Sequence, residues 1–284
     1  MLNKLNKIPG QISDQNCEKI YSILNQIYSG NGNLIELGTF LGKVTYILQE
    51  VCKKKNNKRV ISYDHFKWTK NHSWKFPNLK INIGEETREF IYKYLDKNIV
   101  KLEQSMHDKI NYRGDKIEIL ILDAPKNYDD LKKTFQNFQD FFLNQKTYIF
   151  FLDSYYPKKI DFFLFCYNFK DCFDFYFLNN FVYAKFKTKL DFSINKKKDV
   201  TDQIILFWKD LKNKIGEINF KELSIFPALH LYHLSLYKES IRYILFNDNK
   251  LNNKYIFNRY FVKKYAILIP VIVIKKIANF IKRL

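Results

Sequence analysis

Four acidic residues stand at or near the ends of short apolar runs in the sequence: Glu36, Asp64, Asp123 and Asp153. Each run has the length and composition of a buried strand. The carboxyl ends of parallel strands meet at one edge of a sheet, so the four carboxylates are predicted to converge there. A carboxylate at such an edge can accept hydrogen bonds from ligand hydroxyls or take a proton from a substrate hydroxyl.

A pair of glycines follows the first of these acids. Gly38 and Gly42 are separated by three residues, and a helical pattern of apolar residues begins directly after them. Glycine lets the backbone turn sharply and approach a ligand where a side chain would clash. The dinucleotide fingerprint G-x-G-x-x-G would require a glycine at position 40, which is Phe40. The pattern therefore indicates a strand, a tight turn and a helix that form a different kind of ligand-binding loop.

Asp64 lies 22 residues after Gly42, at the end of the next predicted strand. A carboxylate at this position can accept hydrogen bonds from both hydroxyls of a ribose, because it offers two acceptor oxygens. The alternative is a surface acid that only ends a strand.

The elements that must position these residues alternate along the chain. Strands are predicted at 33–37, 59–63, 99–103, 117–122 and 147–152, and helices at 14–27, 43–51, 85–95, 129–142 and 160–168. Two further strands, 173–178 and 181–186, are joined by an Asn-Asn loop and predict a hairpin. Residues 65–84 are predicted to be irregular. The pattern predicts a Rossmann-like, doubly wound α/β fold whose seven-stranded sheet has five parallel strands and an antiparallel hairpin.

The composition limits the classes of partner. The chain has 284 residues and a net charge of +19, which favours nucleic acid or anionic membrane as a partner. The alternative is the general lysine richness of an AT-rich genome, and since no nucleic-acid motif is present we do not expect nucleic acid. The four cysteines form no C-x-x-C pair, and no apolar run reaches the ~20 residues needed to span a bilayer. These features predict a cytoplasmic protein, or one on the inner face of the membrane.

The sequence changes character near residue 195, which divides it into a domain at 1–194 and a basic helical extension at 195–284. Residues 249–284 contain nine Lys or Arg and no acid. Residues 254–284 are predicted to form basic amphipathic helices that contact an anionic membrane. The alternative is packing on the domain itself or on a second subunit of a homo-oligomer. His230 and His233, three residues apart, are interpreted as packed or surface histidines rather than metal ligands.

Residues 8–187 resemble the class I S-adenosylmethionine-dependent methyltransferases, in particular the branch called methyltransferase family 24. The likeness is carried by five segments: Pro9-Gly10-Gln11-Ile12-Ser13, Ile35-Glu36-Leu37-Gly38, Tyr63-Asp64-His65-Phe66, Leu122-Asp123-Ala124 and Leu152-Asp153-Ser154-Tyr155. The resemblance implies S-adenosyl-L-methionine as cofactor. It also implies a small-molecule or glycan acceptor, with O-methylation of a sugar or of a cell-envelope glycan precursor. The cofactor-binding residues that it implies are Glu36, Gly38, Thr39, Phe40, Gly42, Asp64, His65, Ser105 and Asp123.

The resemblance also bears on metal and base. Relatives in this branch often carry Asp-Gly-Asp-His after the fourth strand, where this chain has Asp123-Ala124-Pro125-Lys126, so no metal is expected. Asp153 is the first candidate for the general base, because the tip of its strand faces the methyl group in the family fold. His65, Asp123 and His107 are the other candidates. A non-catalytic scaffold with a degenerate methyltransferase fold and an RNA methyltransferase remain as alternative functions.

Overall fold

The structure is a computed structural model, and it describes residues 2–55, 59–106, 109–124, 127–152, 160–178, 181–192, 208–210 and 213. Several predictions fall outside these residues: Asp153, His107, the hairpin loop 179–180 and nearly all of the extension. The domain boundary at 194, the membrane contact of 254–284 and the histidine pair therefore stay predictions. None of the helices within the described ranges is long and apolar enough to cross a membrane.

Seven strands form a single sheet in the order β3-β2-β1-β4-β5-β7-β6. Strands β1 to β5 are parallel, and β7 runs antiparallel to its neighbours β5 and β6. This arrangement confirms the predicted Rossmann-like sheet with a hairpin at one edge. The strands are β1 Asn33–Leu37, β2 Val60–Asp64, β3 Val100–Gln104, β4 Ile117–Leu122, β5 Tyr148–Phe151, β6 Phe173–Phe177 and β7 Val182–Phe186.

Seven α-helices have both ends within residues 2–178 of the described ranges, and most lie where the apolar periodicity predicts them. They are α1 Leu2–Leu5, α2 Asp14–Ile27, α3 Lys43–Lys54, α4 Lys70–Lys75, α5 Arg88–Tyr92, α6 Tyr128–Phe138 and α7 Ile160–Asn168. Ser13 caps α2 as predicted, because its side chain accepts a hydrogen bond from the Asn16 N–H.

Two elements between β2 and β3 differ from the prediction. The helix predicted over 85–95 is confined to α5, because residues 85–87 pair instead with the backbone of residues 66–68. Helix α4 lies inside the stretch predicted to be irregular. It begins at Thr69, which forms a capping box with His72 and so satisfies backbone donors of a very short helix.

Hydrophobic side chains cover both faces of the sheet. Along β4, Leu120 and Leu122 pack against the aromatic-rich layer that contains α6 and α7, whereas Ile119 and Ile121 pack against the layer that contains α2 and α3. This alternation follows from the two-residue period of a strand. A strand buried on both faces reads as a continuous apolar run, which is why β4 is the clearest strand in the sequence.

Glu118 is a buried acid at the second position of that apolar strand. Its carboxylate accepts backbone N–H groups of Ser29 at 2.5 Å, Asn31 at 2.8 Å and Gly32 at 3.1 Å. The acid thereby satisfies the turn that leads from α2 into β1 and fixes it beside β4. A Cβ at Gly32 would lie 2.6 Å from the Glu118 backbone nitrogen, so the approach requires glycine.

Replacing Glu118 with Gln is expected to lower the free energy of unfolding by about 2 kcal/mol, because the amide NH₂ would face a backbone donor. Urea denaturation of the full chain measures this difference. Glu89→Gln is the matched control, since the Glu89 side chain is 84% exposed. Equal stability of the two variants would contradict the structural role of Glu118.

Candidate active site

The turn from β1 into α3 is tightly held. The Gly38 N–H donates to the Tyr63 carbonyl at 2.9 Å, and the Asp123 and Ala124 N–H groups donate to the Leu37 carbonyl at 2.9 and 2.8 Å. Gly38 has φ +101°, and a Cβ there would lie 2.8 Å from the Ala124 nitrogen. Phe40 and Gly42 also have positive φ, at 50° and 84°. The predicted glycine turn therefore lies in close contact with the ends of β2 and β4, and Phe40 within it has a strained positive φ.

A cavity of about 300 Å³ opens beside this turn at the carboxyl edge of the sheet. Four parts of the chain contribute to its wall: the segment before and at the start of α2, the end of β1 with the β1–α3 turn and the start of α3, the residues directly after β4 and β5, and the residue directly before β7. The lining residues are Gly10, Gln11, Ile12, Ser13, Asn16, Glu36, Gly38, Thr39, Phe40, Leu41, Lys43, Val44, Asp123, Leu152 and Phe181.

The structure brings together some of the predicted site residues in this wall and leaves others outside it. Glu36, Gly38, Thr39, Phe40 and Asp123 line the cavity. The predicted residues that are not in its lining are Gly42, Asp64, His65 and Ser105, and Asp153 lies outside the described residues.

Glu36 is buried at the back of the cavity. Burial raises the pKa of its carboxyl to about 8, and the charges of Asp123 and Asp64 act in the same direction. The hydroxyls of Ser62 and Thr45 oppose this shift, since both donate to Oε2. Burial thus favours the protonated form of this carboxyl, and a cation placed beside it would favour its ionised form.

Lys43 supplies a cation to the same wall. Its side chain is only 11% exposed, and Nζ lies 2.5 Å from Oδ1 of Asp14. Thr39 lies between this lysine and Glu36 in the sequence, and among the described residues its Oγ1 is a buried oxygen without a hydrogen-bond partner. A buried hydroxyl of this kind fits a polar ligand group that would satisfy it.

Asp64 holds the turn from the outside. Its Oδ2 accepts the Phe40 N–H at 2.8 Å, and its Oδ1 accepts the N–H groups of His65 at 2.6 Å and Phe66 at 3.3 Å. Sequence reasoning missed this contact, because the spacing of Asp64 from Gly42 carries no information on backbone donors. Three donors leave the carboxylate about one further acceptor position.

His65 and Ser105 lie near Asp64. The Nδ1 of His65 accepts the Lys67 N–H at 2.9 Å, and the side chain is 41% exposed. The Ser105 N–H donates to the Asp64 carbonyl at 3.0 Å, while its hydroxyl donates to the Met106 carbonyl. Each of these two side chains therefore forms a hydrogen bond with the backbone of a residue close to it in sequence.

Aromatic rings pack on the outer side of the turn. The Phe40 ring lies 5.0 Å from His72 and 5.3 Å from Phe76, with Trp68 at 6.5 Å. Burial lowers the pKa of His72, and the neighbouring His65 lowers it further. An uncharged imidazole suits this apolar contact. The segment that carries α4 therefore buttresses the cavity wall through Phe40.

Sequence reasoning did not assign roles to Lys43, Asn16 or Phe181. Lys43 directly follows Gly42, so its position at the start of α3 was the one available signal. The other two reach the cavity through tertiary packing of α2 and β7. Within the described part of the chain, no group of three or more His, Cys, Asp or Glu is arranged to hold a metal ion.

The buried Glu36 makes the stability of the protein depend on pH. Between an unfolded pKa near 4.5 and a folded pKa of about 8, the native state keeps a proton that the unfolded chain has lost. Stability therefore falls as pH rises through this range, by up to about 1.4 kcal/mol per pH unit. Glu36→Gln is expected to lack this loss. Urea denaturation of both proteins at about pH 5.5 and about pH 7.5 measures it, and parallel pH profiles would contradict the shift.

Comparisons with known proteins bear on the fold. No protein-family model matches the sequence, and no curated protein matches it. The solved O-methyltransferase NovP is similar in structure, with a TM-score of 0.50 and 16% identity over 63% of this chain and 82% of NovP. CalS11, a TDP-rhamnose 3'-O-methyltransferase, gives a TM-score of 0.47 and 10% identity over 65% of this chain and 92% of CalS11. The SAH-bound Podospora anserina methyltransferase PaMTH1 gives a TM-score of 0.46 and 11% identity over 66% of this chain and 87% of PaMTH1.

At these identities the likeness concerns the fold alone. The strand order, the glycine turn after β1 and the similarity to NovP agree with one another. The branch named family 24 stays a prediction, and what the comparison shows is that the chain shares the Rossmann-like fold of NovP.

Proposed function

We propose that this chain is an S-adenosylmethionine-dependent O-methyltransferase whose acceptor is a hydroxyl of a sugar or of a cell-envelope glycan precursor. The observation that carries the proposal is the cavity at the carboxyl edge of the sheet, with the Glu36–Gly42 turn in its wall. Ligands of open α/β sheets bind in such crevices. The sugar acceptor rests on the sequence resemblance, and NovP and CalS11 are methyltransferases with a related architecture.

The charges of the cavity fit the amino-acid part of the cofactor. That part carries an ammonium, a carboxylate and a sulfonium. Glu36 and Asp123 are the acids of the cavity lining, and Lys43 is its basic residue. We assign the carboxylate to Lys43 and to the hydroxyl of Thr39, and the ammonium to Glu36. The cation would return the Glu36 carboxyl to its ionised form.

The nucleoside part is assigned to Asp64, with His65 and Ser105 nearby. The remaining acceptor position of Asp64 can take a ribose hydroxyl while Oδ2 holds the turn through the Phe40 N–H and Oδ1 accepts the N–H groups of His65 and Phe66. That Asp64 and Ser105 are absent from the cavity lining is the observation that favours the alternative, a binding module with a degenerate methyltransferase fold. Cofactor binding separates these two functions.

The cofactor supplies an electrophilic methyl group, and the residues of the chain must orient the acceptor and take its proton. Leu152, Ile12 and Phe181 give the cavity an apolar side that excludes water. Asp123 lies in the lining and can accept a proton there. Asp153 follows the lining residue Leu152 in sequence and remains the first candidate for the base, with His65 as a further candidate. No metal is assigned a role.

Lys43→Met is expected to weaken the binding of S-adenosylhomocysteine about tenfold, because the carboxylate would lose a charge-assisted hydrogen bond. Isothermal titration calorimetry of the full chain measures the affinity. Methylthioadenosine, which lacks the amino-acid carboxylate and ammonium, should bind wild type and variant equally.

Lys54→Met is the matched control, since Lys54 lies at the other end of α3 and donates to Asn25. Equal losses for both ligands would show that Lys43 acts through folding rather than through the carboxylate. Absence of S-adenosylhomocysteine binding to folded wild type would refute the enzyme proposal.

A further inference from the structure

The connection between β2 and α5 is a loop whose two ends are joined by backbone hydrogen bonds, which form its base. The Trp68 N–H donates to the Glu85 carbonyl at 2.9 Å, and the Gly84 N–H donates to the Trp68 carbonyl at 2.7 Å. Lys67 and Glu86 form an antiparallel bridge beside these bonds. We call residues 69–83, which lie beyond this base and include α4, the 69–83 tip.

The tip exposes large apolar side chains. Trp74 is 79% exposed and Ile83 is 66% exposed, and these are the two highest values among the exposed large hydrophobic residues of the described chain. The other two tryptophans, Trp68 and Trp208, are each 1% exposed. An indole with one apolar and one polar end is suited to an interface that is apolar on one side and wet on the other, and Trp74 is exposed where it can reach one.

The charge of this segment has one sign. Residues 66–84 contain Lys67, Lys70, Lys75 and Lys80 and no acid, and all four lysines are exposed. The next two acids along the chain, Glu85 and Glu86, lie at the base and have hydrogen-bond or ion-pair partners there. Glu85 accepts the N–H and the side-chain amide of Asn82 at 3.0 and 3.1 Å, and Glu86 pairs with Arg88. The lysines of the tip are therefore not neutralised by these base acids.

The tip is fixed beside the mouth of the cavity. Lys75 Nζ donates to Oε1 of Gln11 at 2.6 Å, and Gln11 lines the cavity. The rings of His72, in α4, and of Phe76, directly after it, pack on Phe40, and the Trp68 indole N–H donates to the Ser73 hydroxyl at 2.8 Å. Whatever binds Trp74 and Ile83 is thus held close to the cavity.

We propose that the 69–83 tip docks on the surface of an anionic lipid bilayer. Trp74 and Ile83 enter the boundary between headgroups and acyl chains, where an indole is favoured, and the lysines lie against anionic headgroups. A bilayer offers apolar and anionic surfaces together, which is the combination that the tip presents. Docking holds the cavity mouth at the membrane, where it can meet a membrane-bound acceptor. The proposal does not depend on the chemistry carried out in the cavity.

Trp74 provides its own probe, because it is the exposed one of the three tryptophans. The full chain is titrated with vesicles of phosphatidylglycerol and phosphatidylcholine, or of phosphatidylcholine alone. With the anionic vesicles we expect the emission to shift to the blue, acrylamide quenching to fall and brominated lipids to quench. Trp74→Ser should reduce the fraction of protein that sediments with the anionic vesicles without altering the affinity for S-adenosylhomocysteine.

Further variants locate the binding. Lys70→Gln with Lys80→Gln should weaken the vesicle-induced change about fivefold or more. Tyr176→Ser, which alters another exposed apolar residue, should leave it unchanged. Sedimentation with vesicles without a change at Trp74 would place membrane binding elsewhere in the chain and overturn the proposal. A spectral shift with an acidic polypeptide but not with vesicles would overturn it in favour of a protein partner.

Discussion

Backbone hydrogen bonds tie the carboxyl end of β1 to the ends of both neighbouring strands, β2 and β4, and the shape of the site depends on this constraint. Leu37 accepts two N–H groups from the end of β4, and Gly38 donates to the end of β2. The backbones approach so closely that a Cβ at position 38 would collide with Ala124. The turn that follows must therefore leave the sheet with positive φ, and it carries Thr39 and Phe40 over the sheet edge. A cavity wall with a fixed shape is the consequence.

Two carboxyl groups with different surroundings lie beside this turn. Asp64 is placed against backbone donors and fixes the outer side of the turn, whereas Glu36 is placed among hydroxyls at the back of the cavity. Burial raises the pKa of the Glu36 carboxyl and so favours its uncharged form. Lys43, in contrast, already pairs with the carboxylate of Asp14. The cavity thus presents an acid that would gain from a cationic ligand and a lysine that could exchange its partner for a ligand carboxylate. This polarity suits a zwitterionic amino-acid group.

The sequence predicts the centre of the sheet well because β1 and β4 are fully buried, and Glu36, Asp64 and Asp123 lie at or next to the ends of their strands. The run at 117–122 and the acid-glycine spacing at 36–42 contain the required information locally. The sequence predicts the region between β2 and β3 poorly. The short helix α4 depends on one capping box, and α5 is shortened by backbone pairing with residues 66–68. Local periodicity reports neither effect.

The candidate site was predictable in part for the same reason. Glu36, Gly38, Thr39, Phe40 and Asp123 follow from the motif and the strand ends, and they line the cavity. The clamp made by Asp64 and the contribution of Gln11, Asn16 and Phe181 depend on packing between distant segments. The buried Thr39 hydroxyl could be recognised only once its surroundings were known.

Hydrogen–deuterium exchange of the full chain with and without S-adenosylhomocysteine tests the central claim most directly. If the cofactor binds in the cavity, exchange should slow in peptides covering residues 9–16, 36–44 and 120–124. Peptides covering α6, none of whose residues lines the cavity, should be unchanged. Absence of protection at saturating ligand, or protection confined to other parts of the chain, would contradict the proposed cofactor site.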